Sequence, residues 1–214
     1  MGCNEQRPAN KTAFCVDCQG RLLLTDNFDI EDNELRRRLL GRVEPTFAAA
    51  LYSFIKGGSI QQAVHRLKYE NRPDIAESFG RQYGERLVSS PHYIKPDLLI
   101  PIPLHITKKE SRGYNQSLMF AKGIAKVIMA PIVSDCLVKT KDLVSQTRKG
   151  REDRFMNVLN SFELKNKDEL QGKHLMIVDD VVTTGATFEA AVTILLNHLP
   201  GTRTQLAAIA LAHD

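Results

Sequence analysis

The sequence lacks the features of several broad protein classes. No apolar run approaches the length of a membrane span, and no signal-peptide pattern opens the chain. The four cysteines lack the dense spacing of a secreted disulfide scaffold, and neither internal repeats nor low-complexity tracts occur. We therefore expect a cytoplasmic protein. Its 214 residues are enough for one well-packed domain and a small appendage.

The chain also lacks a strong charge of either sign. Its 29 basic and 25 acidic residues give a net charge of +4 and a pI near 8.9, which is compatible with anionic small-molecule ligands. Nucleic-acid binding would call for a basic face with interleaved aromatic residues, and net charge alone does not supply one. Direct binding of single-stranded DNA or RNA stays an alternative, and it predicts a steep salt dependence of the affinity.

The most informative stretch runs from Leu175 to Thr187 and reads LMIVDDVVTTGAT. Four apolar residues predict a buried strand, which we expect to end at two adjacent carboxylates, Asp179 and Asp180. A small, hydroxyl-rich loop follows. The spacing of the next apolar residues then predicts a helix that stops at Pro200-Gly201.

This order of parts predicts a ligand. A loop of glycine and threonine that opens a helix offers backbone N–H groups, hydroxyls and the positive end of the helix dipole to a phosphate. Adjacent carboxylates can accept hydrogen bonds from a vicinal diol. A phosphate and a diol about one sugar apart describe a ribose 5-phosphate.

Other interpretations of the stretch fit less well. The loop lacks both the G-x-x-x-x-G-K-[ST] pattern of nucleoside triphosphatases and the G-x-G-x-x-G pattern of dinucleotide folds. An acidic pair also ends the first strand of phospho-receiver domains, but the sequence after Asp180 has room for only one more helix and one more strand. The acidic residues could instead only cap the next helix, but a cap requires neither two carboxylates nor three threonines.

Three cysteines near the N-terminus form a candidate metal site. Cys15 and Cys18 make a C-x-x-C knuckle, and Cys3 precedes it, as in part of a four-thiolate zinc site. A fourth ligand is missing, because no histidine precedes His65. A natural chain that extends upstream of Met1 with one more cysteine would complete the pattern. Free thiols in a weakly ordered arm are the alternative.

Basic residues mark two further segments. A strand over 97–100 should end before Pro101 and Pro103, because proline cannot donate to a central ladder. We predict a loop over 104–116, placed where α/β folds bind ligands, that would bring four basic residues to pyrophosphate: His105, Lys108, Lys109 and Arg112. A solvated surface loop is the alternative for these residues.

The second basic segment covers residues 141–157, where apolar residues are scarce. A long polar loop inside a domain is typically functional or disordered, and this one could close over a polyanion with Arg151 and Arg154. Lys68 and Arg72 are predicted on one face at the end of a helix. They are candidates for substrate contact, and the alternative is that their charges only interact favourably with the helix dipole at its C-terminus.

Apolar periodicity predicts the remaining elements. Helices are expected from about Ile60, Ile75 and Asn115, and strands are expected over 47–56, 132–140, 161–164 and 204–211. Residues 25–45 look like a linker with a solvated helix face. We therefore predict a cysteine-knuckle segment and linker over 1–45 and one domain over 46–214.

Together these motifs resemble the ComF family, the competence-associated relatives of amidophosphoribosyltransferase. Leu175–Thr187 resembles the phosphoribosyl-pyrophosphate loop of type I phosphoribosyltransferases. The other matching motifs are the cysteine knuckle, Leu67-Lys68-Tyr69, Pro101–His105, Arg112-Gly-Tyr-Asn-Gln116, Gln146-Thr147 and Arg154-x-x-Asn157.

The resemblance implies an α/β fold with a central, mainly parallel sheet, helices on both faces and an N-terminal zinc ribbon. Asp179 and Asp180 would hold the ribose hydroxyls. Mg²⁺ would bridge pyrophosphate and ribose oxygens. The segment that follows would contact the substrate, with residues 183–187 holding the 5-phosphate: Val181, Val182, Thr183, Thr184, Gly185, Ala186 and Thr187.

The implied reaction is phosphoribosyl transfer from phosphoribosyl pyrophosphate, by displacement at the anomeric carbon through an oxocarbenium-like state. The motifs do not define the acceptor. Family members in naturally transformable bacteria are linked to DNA uptake, so single-stranded DNA or DNA-uptake proteins are candidate partners. The alternative is a non-catalytic module that senses phosphoribosyl pyrophosphate, or binds DNA, while acting with such partners.

Overall fold

The chain folds as an α/β protein around a parallel sheet. A computed structural model describes residues 20–140 and 161–213. The elements in chain order are α1 (Glu34–Leu39), β1 (Phe47–Phe54), α2 (Ser59–Tyr69), α3 (Pro73–Val88), β2 (Leu98–Pro101), α4 (Ile106–Arg112), α5 (Gln116–Ile128), β3 (Leu137–Lys139), β4 (Phe162–Leu164), β5 (His174–Val182), α6 (Ala186–His198) and β6 (Arg203–Ala212).

The main sheet has the strand order β1-β6-β5-β2, and all of its neighbouring strands are parallel. β3 and β4 form a separate antiparallel pair. Since β5 and β6 are the central strands, their apolar runs are covered on both faces, as expected for a parallel sheet. The prediction of an α/β fold with a parallel sheet is confirmed. The predicted zinc ribbon, with Cys3, Cys15 and Cys18, lies outside the described residues.

Two hydrophobic layers enclose the sheet, and β5 shows how they divide. Met176 and Val178 pack into one layer with α2, α3 and α5, whereas Leu175 and Ile177 pack into the other with α1 and α6. Successive side chains on a strand point to opposite faces, so an unbroken apolar run serves both layers. The fold is therefore a sheet between two layers of helices.

Helices α3 and α5 approach so closely that glycine is required at their contact. A Cβ atom added to Gly80 would lie 2.2 Å from the carbonyl oxygen of Phe120, and one added to Gly123 would lie 2.2 Å from that of Glu77. This close approach sets the position of α5. The N-terminus of α5 then lies beside the end of β5.

Two predictions about local structure are wrong. Residues 106–112, predicted as loop, form α4, a short helix with no buried residue and hence no apolar period to reveal it. The linker predicted within 25–45 is part of the fold, because Phe28, Leu35 and Leu39 are buried. Within residues 20–140 and 161–213, no helix has both the length and the apolar character needed to cross a membrane.

Candidate functional site

The acidic pair lies within β5 and not after it, so the predicted strand end is wrong. On its β6 side, β5 stays paired as far as Val182, opposite Leu211. On its β2 side, pairing stops at Val178, opposite Pro101. The prolines that end β2 therefore leave residues 179–182 without that neighbour, because proline has no N–H to continue the ladder. This step in the sheet edge opens one side of the acidic pair.

Asp179 is held by the N-terminus of α5. Its Oδ1 accepts hydrogen bonds from the Ser117 hydroxyl at 3.0 Å and from the backbone N–H of Asp180 at 2.8 Å. Burial, with the neighbouring Asp180 carboxylate as a second cause, raises the pKa of Asp179 to about 7. A raised pKa favours the protonated carboxyl group, which can donate as well as accept a hydrogen bond.

Asp180 is paired with a lysine from the end of α2. Lys68 Nζ lies 2.8 Å from Asp180 Oδ2, and the two side chains are 23% and 14% exposed. Asp180 Oδ1 accepts a hydrogen bond from the backbone N–H of Val181 at 2.6 Å. The structure thus brings Lys68, a candidate from the sequence, directly to the acidic pair.

The loop between β5 and α6, residues 183–185, forms a small pocket with its neighbours. Gly185 precedes the helix in the left-handed region with a φ of +81° and offers no side-chain cap, while the Thr184 hydroxyl oxygen accepts a hydrogen bond from the Ala186 N–H at 3.4 Å. A Cβ atom on Gly185 would lie 2.7 Å from Leu39 Cδ2, so glycine is needed for space as well as for conformation. The pocket is lined by Asp179, Val181, Val182, Thr183, Thr184, Gly185, Ala186, Thr187 and Phe188.

Two arginines contact the outer side of this loop, although no pattern in the sequence marks them. Arg38 donates to the carbonyl oxygen of Thr183, and to that of Ala212 at 2.7 Å. Arg42 donates to the carbonyl oxygen of Thr184 at 3.1 Å. Both arginines belong to the stretch predicted as a solvated helix face. Their partners lie far along the chain, so local periodicity carries no signal for them.

The Arg-Gly-Tyr-Asn-Gln run makes contacts that hold neighbouring elements around the site, in addition to carrying the charge of Arg112. Gly113 ends α4 with a φ of +77°, and the Tyr114 hydroxyl donates to the carbonyl oxygen of Leu67. The Asn115 side chain caps α5 and donates to the carbonyl oxygen of Ile102 at 2.9 Å. The run therefore ties α2, β2 and α5 together beside the acidic pair. Sequence reasoning identified the run but not these roles, nor the contact of Ser117.

The basic residues around α4 lie beyond the carboxyl end of β2, next to β5. His105 precedes α4, with its Nδ1 2.9 Å from the Thr107 hydroxyl, and Arg112 donates to Gln116 Oε1 at 3.1 Å. Lys109 is exposed and Lys108 is half-buried. These four residues lie at the same end of the sheet as the acidic pair, because the carboxyl ends of parallel strands meet at that end.

Three other candidates have different outcomes. Arg72 lies beyond the end of α2 and pairs with Asp74 at 2.6 Å, so the predicted helix face shared with Lys68 is wrong. Arg151 and Arg154 lie outside the described residues, and their predicted role stays a prediction.

The acidic side chains at the site suit a metal ion whose other coordinating oxygens come from a phosphorylated ligand and water. Among residues 20–140 and 161–213, no group of three or more His, Cys, Asp or Glu side chains is arranged to hold a metal ion. Asp179 and Asp180 could offer at most two carboxylates. Mg²⁺ is commonly held by one or two carboxylates together with substrate phosphates and water, so these residues fit Mg²⁺ bound with a phosphorylated ligand.

Comparison with known proteins agrees with this geometry. The family described as phosphoribosyl transferase domain matches residues 114–212, which include Ser117, the acidic pair and the loop but neither α1 nor Lys68. Residues 114–212 are therefore similar to a phosphoribosyl transferase domain.

Curated relatives carry names that concern competence and DNA use. DNA utilization protein YhgH of Escherichia coli O157:H7 is 29% identical over 138 residues, or 63% of this chain and 60% of the relative. Competence protein F of Haemophilus influenzae is 29% identical over 128 residues, or 58% of this chain and 56% of the relative. Competence protein ComFC of Bacillus subtilis is 25% identical over 191 residues, or 89% of this chain and 69% of the relative. These names and the matched domain support the resemblance of the chain to ComF-family, type I phosphoribosyltransferase-like proteins.

Proposed function

We propose that this protein binds phosphoribosyl pyrophosphate with Mg²⁺ and transfers the phosphoribosyl group to an acceptor. One observation carries the proposal: Asp179 and the N-terminus of α6 line the same pocket at the end of β5. A diol acceptor and a phosphate site, separated by one short loop, match the two ends of a ribose 5-phosphate.

The loop would hold the 5-phosphate through three kinds of group. Its backbone N–H groups and the helix dipole attract an anion, and the hydroxyls of Thr183, Thr184 and Thr187 can donate to phosphate oxygens. Thr183 and Thr184 are exposed and Gly185 is buried beneath them, so the hydroxyls are accessible to a ligand. Asp179 and Asp180 would receive the ribose 2- and 3-hydroxyls.

The pyrophosphate end would face the basic residues at the neighbouring strand end. Lys68 is already at the acidic pair, and the α4 region adds the side chains of His105, Lys108, Lys109 and Arg112. Arg151 and Arg154 are proposed as further pyrophosphate contacts. Mg²⁺, when bound, would neutralise charge on the pyrophosphate and ribose oxygens, with Asp179 and Asp180 as its candidate protein ligands.

In the proposed reaction the protein positions the reactants and stabilises charge. The bond between C1 of the ribose and pyrophosphate breaks, with its electron pair leaving on pyrophosphate, while the acceptor supplies the electron pair for the new bond to C1. The acidic pair holds the hydroxyls of a ribose that becomes positively charged, and the basic residues offset the charge on the leaving group. In the described residues Asp179 pairs with Ser117 and Asp180 with Lys68, which is an arrangement for holding rather than for nucleophilic attack.

The names of the relatives suggest where this chemistry is used. Two are named as competence proteins and one as a DNA utilization protein. We propose that the protein supports DNA uptake or use, acting with DNA-uptake proteins or single-stranded DNA. The protein covers only 60% of the first of these relatives, so this role is carried over as a proposal.

Calorimetric titration with phosphoribosyl pyrophosphate and Mg²⁺ tests the binding proposal. We expect saturable binding by the wild-type protein, and binding at least about tenfold weaker in the double variant D179N/D180N, because charge-assisted hydrogen bonds to the diol are lost. Asp135→Asn is the matched control, since Asp135 is exposed and contacts Asn166 away from the site. Equal affinity in the wild type and the double variant would contradict the proposal.

Turnover needs its own measurement. Release of pyrophosphate in the presence of candidate nucleobase, amine and nucleic-acid acceptors would demonstrate transfer. Tight binding without release across these acceptors would favour the sensing role over the enzymatic one.

A further inference from the structure

We infer that Arg38 and Arg42 are positioning residues that aim the phosphate loop at its ligand from outside the matched domain. The inference rests on the proposed function and assigns a role to a helix that lies well before residues 114–212. Arg38 lies in α1 and Arg42 follows it. Both reach the loop that joins β5 to α6.

The two guanidinium groups hold successive carbonyl oxygens of the loop. Arg38 donates to the carbonyl oxygen of Thr183, and Arg42 donates to that of Thr184 at 3.1 Å. Acidic partners hold each arginine in place: Glu34 Oε1 lies 2.6 Å from Arg38 Nη2, and Glu189 Oε2 lies 2.6 Å from Arg42 Nη1. The arginine side chains are only 16% and 18% exposed, although Thr183 and Thr184, whose carbonyl oxygens they contact, are exposed residues.

The peptide geometry converts these contacts into an orientation of N–H groups. In a planar trans peptide the carbonyl and the following N–H point in opposite directions. When Arg38 draws the Thr183 carbonyl toward α1, the N–H of Thr184 must point away from α1. Arg42 imposes the same direction on the N–H of Gly185 through the Thr184 carbonyl. Two successive N–H groups are thereby turned from the arginines toward the opposite side of the loop, where a phosphate can accept from both.

Leu39 completes the support on the same side. A side chain at Gly185 would meet Leu39 Cδ2 at 2.7 Å and Arg42 Nη2 at 3.5 Å, so the loop rests directly against this segment. Because each guanidinium group is paired with a glutamate at 2.6 Å, its charge is largely offset, and its hydrogen bond to the loop carbonyl carries the positioning role.

This role makes a prediction that a general structural role does not. If Arg38 and Arg42 only stabilised the fold, their loss would affect every ligand alike. If they aim the loop, their loss should weaken binding of the phosphate end and spare the pyrophosphate end, which is held by other residues. Ribose 5-phosphate and inorganic pyrophosphate, titrated separately, serve as probes of the two ends.

The test compares Arg38→Met and Arg42→Met with the matched control Arg37→Met. Arg37 lies on the same helix, its side chain is 58% exposed, and it pairs with Asp32 instead of the loop. By calorimetry we expect each of R38M and R42M to bind ribose 5-phosphate at least about tenfold more weakly, as for loss of a charge-assisted hydrogen bond. Their affinity for pyrophosphate should stay within about twofold of wild type, and R37M should match wild type for both ligands.

Lysine variants provide a second measurement where the methionine variants fold poorly. Arg38→Lys and Arg42→Lys keep the charge and one donor, so they should retain ribose 5-phosphate affinity within roughly threefold of wild type. Unchanged ribose 5-phosphate affinity in R38M and R42M would overturn the inference while leaving the proposed function intact. Equal weakening of both ligands, in the methionine and the lysine variants alike, would also overturn it in favour of a structural role. If wild-type protein bound neither ligand, the proposed function would fail, and the inference with it.

Discussion

Lys68 Nζ lies 2.8 Å from Asp180 Oδ2, and this ion pair joins the end of α2 to the acidic pair in β5. Both side chains are largely sheltered from solvent, so the interaction is less screened than a surface ion pair. The pair places a positive charge beside the predicted diol site. It connects a basic candidate from the N-terminal half of the chain directly to the acidic pair.

Replacing this lysine should weaken ligand binding more than it affects folding. We expect Lys68→Met to bind phosphoribosyl pyrophosphate with Mg²⁺ about tenfold more weakly, because a charge at the anionic end of the ligand is lost. The thermal midpoint should fall by only a few degrees, as for loss of about 1 kcal/mol. Lys126→Met is the control, since Lys126 pairs with Glu77 at 2.6 Å and its side chain is 59% exposed. A Lys68→Met protein with wild-type affinity in calorimetry would contradict this prediction.

The raised pKa of Asp179 predicts a pH dependence of stability. Burial and Asp180 raise the pKa of Asp179 to about 7, above its value in the unfolded chain. The folded state therefore binds the proton more tightly, and stability present at low pH is lost as pH rises from about 4 through about 7. Asp179→Asn removes the charge and keeps an oxygen for the Ser117 hydroxyl.

Thermal denaturation of both proteins at two pH values measures this effect. The melting temperature of D179N should exceed that of wild type at pH 8, and the difference should shrink toward zero near pH 4. A difference that stayed constant over this range would show that the Asp179 carboxyl does not titrate with a raised pKa.

The glycine contact between α3 and α5 should be intolerant of one methyl group. In Gly123→Ala the new Cβ would lie 2.2 Å from the carbonyl oxygen of Glu77, so the helices must separate. We expect a loss of about 3 kcal/mol or more in the free energy of unfolding, measured by denaturant titration. Gly20→Ala is the control, because a Cβ there meets nothing within 4 Å. Similar stability of the two variants would mean that the helices can move apart at little cost.

Zinc binding by the N-terminal cysteines is a prediction about a separate part of the chain. If Cys3, Cys15 and Cys18 contribute to a zinc site, purified protein should contain about one zinc ion per chain by atomic emission. The double variant C15S/C18S should lose it. Cys136→Ala should retain it, since Cys136 is a buried thiol in the core. A wild-type protein free of zinc after purification without chelators would leave the free-thiol alternative.

The sequence predicts the apolar part of β5 but not the end of that strand. Leu175–Val178 was identifiable as a buried strand because four consecutive apolar residues suit a strand covered on both faces. The end of that strand was not, because it depends on β2. Pro101, the last residue of the neighbouring strand and in register with Val178, marks where β5 loses a partner.

Short polar elements escaped prediction for a different reason. α4 has seven residues and none of them is buried, so it lacks the periodic apolar signal by which longer helices such as α5 were found. Residues 25–45 are rich in charge, yet Leu35 and Leu39 are buried and Arg38 and Arg42 hold the loop. The charged composition of residues 25–45 predicts an exposed segment, and it does not reveal which helix face packs against the rest of the fold.

By itself the sequence determined the kind of site: an acidic pair, a small loop and a helix start in one continuous stretch, whose chemistry depends on neighbours along the chain. Only the tertiary structure decided which distant groups complete it. Ser117, Lys68, Arg38 and Arg42 meet that stretch through long-range contacts, which leave no local pattern because hydrogen bonds and ion pairs depend on distance in space. The acidic pair and the loop are visible in the sequence, whereas the side chains that contact them come from three helices and from the segment that follows α1.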